Sequence, residues 1–211
     1  PPPPPPPPPF PMPRPPPLSP RYRSSAASAV YKRQEIILPA FHEWGVKGVN
    51  KFIGMFAIVI FDEQKNEVHL IRDRAGVKPL FYYQKNDLIL FASELKSFHE
   101  HPQFDKELDL NAVAAFMQYG NVPTPHCIFK NCYKIKPGNY LKIDLNTKTK
   151  KEFQYWNVYD YYNKPKLNIS YEDAIEKTKK ILLSAFQYRM VADVPVGIFL
   201  SGGYDLSLIH I

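Results

Sequence analysis

The sequence predicts a mixed α+β chain that passes, near residue 165, into the beginning of an α/β unit. Three observations carry this reading. Four short strand-like runs follow one another between residues 54 and 94, separated by turn residues, which is the pattern of an antiparallel sheet. A further pair of such runs lies between 140 and 156. After residue 170 a helical apolar period takes over, followed by the uniformly apolar run VGIFL and the glycine pair Gly202-Gly203.

The first 34 residues stand apart. Fifteen of the 23 prolines fall in residues 1–20, and a polyproline stretch has no backbone donors with which to join a sheet or helix. Such an arm suits recognition by a proline-reading domain, and Pro13-Arg14-Pro15-Pro16-Pro17 has the right character. Residues 21–34 show neither helical nor strand period and join EIILPAFHEWG abruptly. We therefore expect residues 1–34 to be a disordered, non-native extension, and we set the closing LSLIHI aside in the same way.

From Glu35 the pattern is dense. Ile36, Ile37, Phe41 and Trp44 predict a short amphipathic helix ending near Gly45, with Pro39 close to its start. GMFAIVIFD is too short for a buried helix and is expected to be a buried strand. DEQKN turns, and EVHLIRD returns as its partner, with Val68, Leu70 and Arg72 on one face and His69 and Ile71 on the other. PLFYYQ and DLILFASE form a second hairpin across Lys85-Asn86. A helix is expected over Leu110–Tyr119, with Asp109 as N-cap and Gly120 as stop. YLKIDL and KEFQYW make another hairpin around Asn146-Thr147, and Tyr159–Leu167 reads as a linker. Ser170 then caps a helix, with Asp173 in the capping-box position and Ile175, Thr178, Leu182, Ala185 and Phe186 along one stripe toward Met190.

Composition narrows the function classes. The apolar fraction of 45% supports a real core, and no run is long enough to span a membrane. The net charge of +7 first points to nucleic acid, but Arg14, Arg21, Arg23, Lys32 and Arg33 supply five of those charges in a segment with no acid, leaving a body near +2. No basic stripe survives, so nucleic-acid binding is excluded as the main function. Cys127 and Cys132 with His126 provide too few ligands for a structural metal, and free thiols are expected, as in a cytoplasmic protein.

Other charged and aromatic residues have plain readings. Arg72-Asp73-Arg74 before Gly76 fits a charged strand end followed by a turn better than a carboxylate clamp. His69, His99 and His101 have no nucleophile at an interpretable spacing and are expected at the surface. Phe81, Tyr82, Tyr83, Tyr155 and Trp156 fall at strand spacing and are expected to pack sheets.

The last motif, GIFLSGGYD, has the makings of an anion cradle. A strand runs into Ser201-Gly202-Gly203, whose backbone N–H groups can converge on a phosphate without Cβ obstruction. Ser201 adds a hydroxyl donor, and Asp205 either caps the next helix or draws Mg2+ to a bound polyphosphate. The loop is not a Walker loop, since no GxxxxGK[ST] occurs.

In this context the chain resembles the asparagine synthase (glutamine-hydrolysing) family. GMFAIVIFDEQKNEVHLIRDRAGVKPLFYY with LFASELKSF is similar to the second part of its glutaminase domain. VPTPHCIFKNCYKIKPGNYL is similar to the segment that follows, and VADVPVGIFLSGGYD to the entry of its ATP-pyrophosphatase loop. The resemblance spans roughly residues 35–205 and implies an incomplete N-terminal-nucleophile αββα glutaminase sandwich over 35–165. Residues 166–211 would then be the first helix, strand and phosphate loop of a parallel-sheet synthase domain. It implies ammonia release from glutamine, adenylation of aspartate by ATP with Mg2+, and displacement of AMP by ammonia. By the same resemblance Ser201, Gly202, Gly203 and Asp205 contact ATP phosphates and Leu200 lies against the nucleotide. The implied partners are small molecules (aspartate, glutamine and ATP), with neither nucleic acid nor membrane, and a homodimer at full length.

Departures from the family pattern set further expectations. The family's nucleophile is an N-terminal cysteine, whereas this chain begins with Pro1, so no catalytic residue is assigned. Arg33 stands where the family has an aspartate, and Leu206-Ser207 follows Asp205 where the family runs Asp-Ser-Ser. The chain is thus expected to be a fragment that neither hydrolyses glutamine nor makes asparagine by itself. Two alternatives stay open: a β-lactam synthetase-like ATP ligase, which shares the domains without the nucleophile, and a non-enzymatic interaction module with a proline-rich arm.

Overall fold

A computed structural model describes residues 36–190 and Gly197. The chain divides into two units at residue 53/54, and each is considered by itself.

In the first unit, α1 runs Ile37–Trp44 and ends at Gly45, whose positive φ of 58° closes the last turn by donating its N–H to the Phe41 carbonyl. Pro39 sits in the first turn, where its missing N–H costs no intrahelical bond. A 3-10 segment, Gly45–Lys51, folds back so that Gly48 lies against the Ala40 carbonyl, and Lys51 stacks its ammonium over the Trp44 ring.

Among the described residues the second unit has seven strands: β1 (Ala57–Asp62), β2 (Glu67–Arg72), β3 (Phe81–Lys85), β4 (Leu88–Ala92), β5 (Cys132–Lys134), β6 (Asn139–Asp144) and β7 (Thr149–Gln154). They form two antiparallel sheets, one ordered β1-β2-β6-β7 and the other β4-β3-β5. The three hairpins expected from the sequence are all present, with Ile60 opposite His69, Tyr83 opposite Leu90, and Leu141 opposite Glu152. Their turns use the residues that tolerate them. Asp62 accepts from the N–H groups of Gln64 and Lys65, Asp144 accepts from those of Asn146 and Thr147, and Asn66 and Asn86 take left-handed φ.

The period of two decides what the sheets bury. Val68, Leu70, Leu141 and Ile143 on one face of the first sheet meet Tyr82 and Ile89 of the second, with Leu80 and Ile135 between them. Tyr83 turns to the far side of the second sheet, where it joins Phe98, Phe104, Cys127 and Cys132 under the 3-10 segment Leu95–Glu100. The aromatic residues Phe81, Tyr82 and Tyr83 therefore pack sheets, as their spacing predicts.

Two expectations about burial need correction. β1 is not buried throughout: only Ile60 is, while Phe61 is 54% exposed, because β1 lies at one end of its sheet's strand order. His69 is not at the surface but 5% exposed, because β2 is an interior strand with side chains covering both faces.

Among the described residues three further α-helices follow. α2 spans Leu110–Tyr119, capped by the Asp109 carboxylate, which accepts from Asn111 N at 2.9 Å, and stopped by left-handed Gly120. α3 (Val158–Tyr162) is little more than one turn, capped by Asn157, and overlaps the start of the stretch Tyr159–Leu167 expected to be a linker. α4 spans Tyr171–Arg189, and Ser170 Oγ accepts from Asp173 N at 3.1 Å while donating to its carboxylate at 2.8 Å. The strand VGIFL and the glycine turn after it lie outside the described residues, apart from Gly197. The architecture described is mixed α/β with antiparallel sheets.

Candidate functional site

The most heavily hydrogen-bonded polar site among the described residues is the loop that leaves β2. Its centre is Asp73, 2% exposed. One carboxylate oxygen accepts from the N–H groups of Ala75 (3.1 Å) and Val77 (3.0 Å), and the other from Lys78 (2.9 Å) and Phe56 (3.3 Å). Four amide donors thus converge on one anion, which gathers the loop 73–78 around a single side chain. The Asp73 main chain is equally occupied: its N–H donates to the Phe56 carbonyl, and its carbonyl accepts from Gly76 and Gly138.

Arg72 makes the complementary set. Its guanidinium donates from Nε to Lys78 O (2.9 Å), and from its two terminal nitrogens to Ile135 O (2.6 Å) and Gly76 O (2.7 Å). Burial pulls its pKa below the ordinary value, and the neighbouring Asp73 charge partly opposes that. An adjacent cation and anion are thus both neutralised by backbone dipoles. Neither is free to clamp a substrate carboxylate, and the turn reading of Arg72-Asp73-Arg74 holds.

Glycine makes this packing possible at two points. Gly138 has φ 67°, and a Cβ there would stand 2.4 Å from the Trp156 carbonyl oxygen. At Gly76, with φ 66°, a Cβ would meet the Pro137 ring at 2.7 Å. The Tyr155 hydroxyl completes the ring of contacts by donating to the Arg72 carbonyl at 2.7 Å, and burial pushes its pKa up to about 12, so it stays protonated. Sequence reasoning took RDRAGVKP as a turn but missed Asp73 as its organiser. The available signal was an Asp three residues before a glycine at a strand end, the pattern of an Asp-nucleated turn.

The residues assigned to the nucleotide, Leu200, Ser201, Gly202, Gly203 and Asp205, lie outside the described residues. Cys127 and Cys132 are both buried with free thiols, and the described residues hold no group of three or more metal-binding side chains. Among the described residues no helix is long and apolar enough to cross a membrane.

Two antiparallel sheets packed face to face in a mixed α/β architecture fit a glutamine amidotransferase domain. Residues 26–156 match the glutamine amidotransferase domain family, and residues 177–211 match the asparagine synthase family. The chain belongs to the glutamine-hydrolysing asparagine synthase family, of which it carries part of the amidotransferase domain and the start of the synthase domain. It is 38% identical over 180 residues to a Methanocaldococcus jannaschii protein of the glutamine-hydrolysing asparagine synthetase kind, covering 83% of this chain and 34% of that protein. It is 35% identical to asparagine synthetase [glutamine-hydrolyzing] 2 of Bacillus subtilis, covering 83% of this chain and 24% of that protein. It is also 33% identical to amidase chry2 of Gibberella zeae, covering 82% of this chain and 25% of that protein. The chain thus spans about a third or less of the length of these relatives.

Proposed function

We propose that this protein serves ATP-dependent conversion of aspartate to asparagine with ammonia taken from glutamine. The observation that carries the reading is the order of two matches in one chain, an amidotransferase domain at 26–156 followed by synthase sequence at 177–211. The first accounts for a nitrogen source and the second for its use, and two of the relatives cited carry the asparagine synthetase name.

In chemical terms a carboxylate is a poor electrophile, so it must be activated before nitrogen can attack. MgATP would transfer its adenylyl group to the aspartate side chain, pyrophosphate would leave, and ammonia would displace AMP from the resulting β-aspartyl-AMP. The part proposed for this chain is the cradle for the phosphates. Backbone N–H groups of Gly202 and Gly203 and the Ser201 hydroxyl would donate to phosphate oxygens, Asp205 would attract the magnesium ion, and Leu200 would pack against the nucleotide. The Asp73 loop has a supporting role, fixing the end of β2 against residues 135–138 and 155.

The test follows nitrogen in the natural full-length protein that carries this sequence. With amide-labelled glutamine, aspartate and MgATP, label should enter asparagine, and AMP and pyrophosphate should accumulate. Replacing Gly202 and Gly203 together with valine should abolish aspartate-dependent ATP–pyrophosphate exchange while leaving ammonia release from glutamine intact. Exchange that persists in this variant removes the assigned cradle. Label that reaches ammonia but never asparagine shows that another acceptor is used.

A further inference from the structure

The pair Cys127 and Cys132 plays no part in the site described above. Their neighbours form an isolated antiparallel bridge, His126 opposite Tyr133, and Lys134 N donates to the Pro125 carbonyl at 2.9 Å. One step inward along that register sets Cys127 directly opposite Cys132. The turn between them is closed by the Cys132 N–H on the Phe129 carbonyl, with Asn131 in the left-handed region at φ 59°. Directly opposed residues of an antiparallel pair have Cα atoms about 4.5–5.5 Å apart, inside the range of about 4.4–6.8 Å that a disulfide bridges. Both side chains leave the same face of this short ladder and enter one apolar cluster with Tyr83, Phe98 and Phe104.

The surroundings make the two sulfurs unequal. The Cys132 thiol, and then the backbone N–H groups of Phe129 and Ile128, stabilise a thiolate on Cys127 and pull its pKa down against the opposing effect of burial. The ammonium of Lys134 adds to this. Cys132 is pushed the other way by its neighbour and by burial. Cys127 is therefore the attacking sulfur and Cys132 the one that resolves.

We propose that Cys127 and Cys132 form a redox-active dithiol that a small-molecule disulfide, such as glutathione disulfide, converts reversibly to an intramolecular cross-link. In the first step the Cys127 thiolate attacks one sulfur of the reagent. Its S–S bond breaks, one glutathione leaves as thiolate, and that thiolate takes up the proton Cys127 has lost. In the second step Cys132 gives its proton to solvent and attacks the Cys127 sulfur, and the second glutathione leaves and is protonated. The two cysteines lose two electrons and two protons, and one glutathione disulfide becomes two glutathione molecules. Both thiols are 2% exposed, so the reagent enters through local opening of the 121–131 connection, whose residues Asn121, Pro123, Thr124, His126 and Lys130 are exposed. The inference does not rest on the proposed function.

The full chain is equilibrated in glutathione buffers of increasing disulfide-to-thiol ratio, quenched, alkylated and analysed by peptide mass spectrometry, in native buffer and in urea. The expected result is a Cys127–Cys132 linkage reversed by dithiothreitol, with an equilibrium at least about tenfold further toward the cross-link in the folded chain than in urea, because the register holds the sulfurs together. Cys132→Ser should stop at a glutathione adduct on Cys127. Cys127→Ser should form an adduct on Cys132 about tenfold more slowly, the thiolate being the nucleophile. Two alkylatable thiols at every ratio in the native wild-type chain, or an equilibrium no more favourable than in urea, overturns the proposal without reference to either variant. Equal adduct rates in the two variants overturn the assignment of Cys127 as attacking sulfur.

Discussion

The hydroxyl of Tyr155 donates a 2.7 Å hydrogen bond to the carbonyl of Arg72, joining chain segments 83 residues apart. Tyr155 is the first residue after β7 and Arg72 the last of β2, so one bond ties two strands of the first sheet that are not neighbours in it. The phenol is half-buried and its donor has a single acceptor, so deletion leaves the Arg72 carbonyl one partner short. Tyr155→Phe should lower unfolding free energy by about 1 kcal/mol, read from urea denaturation with an unchanged m-value.

Asp73 should be far less tolerant. Asn would keep one acceptor oxygen but place an NH2 group against main-chain donors, leaving at least two amides without a partner. Asp73→Asn should destabilise by about 2–4 kcal/mol, and amide exchange at Ala75, Val77 and Lys78 should accelerate more than elsewhere in the second unit. A variant as stable as the parent would show that these four contacts do not organise the loop.

Glycine substitutions separate backbone strain from collision. Gly45 and Gly138 have nearly the same φ, 58° and 67°, but a Cβ at Gly45 meets nothing within 4 Å, whereas at Gly138 it meets the Trp156 carbonyl at 2.4 Å. Gly45, at φ 58° and ψ −152°, sits in a backbone region open essentially to glycine alone, so Gly45→Ala should cost only that backbone strain, about 1–3 kcal/mol. Gly138→Ala should add an overpacking term of about 1–3 kcal/mol. Thermal midpoints of the two variants, measured side by side, check the ordering.

His69 gives the domain a pH limb of known sign. Burial lowers its pKa below 6.5, with Lys142 and Lys65 acting in the same direction and Glu67 and Asp62 in opposition. A depressed folded-state pKa means that the unfolded chain binds the proton first as pH falls. Its contribution is therefore intact above 6.5 and is lost progressively below it. Unfolding free energy should decline as pH falls below 6.5, and the decline should flatten in His69→Gln relative to the parent. An identical pH profile in the variant would remove His69 as the source.

Local signals in the sequence carried the elements that depend on neighbouring residues. Asp109 and Gly120 bracket α2, Ser170 with Asp173 opens α4, and turn residues mark all three hairpins. What they could not carry is long-range pairing. β2 finds β6 some seventy residues later, and β3 finds β5, a three-residue strand with too few side chains to show a period. The sequence reading placed four consecutive strands in one sheet, but β2 pairs with β6 and β3 with β5, which puts β1 and β2 in one sheet and β3 and β4 in the other. α3 escaped notice because five residues complete little more than one turn. At the candidate site the charges of Arg72, Asp73 and Arg74 were legible and their destinations were not, since backbone acceptors and donors leave no mark in side-chain chemistry. The nucleotide loop is the opposite case: its composition speaks clearly in the sequence, and its placement lies outside the described residues.

The pairing of Arg72 and Asp73 with main-chain dipoles bears on ionic strength. Dissolved ions screen charges that face water, and they weaken solvent-exposed pairs such as Lys85–Asp105 or Lys148–Asp87. Amide and carbonyl groups fixed against a sheltered carboxylate leave an electrolyte little to compete with. Titration with sodium chloride should loosen the rim of the molecule while the turn after β2 keeps its shape, which makes that turn a fixed reference point in any salt series.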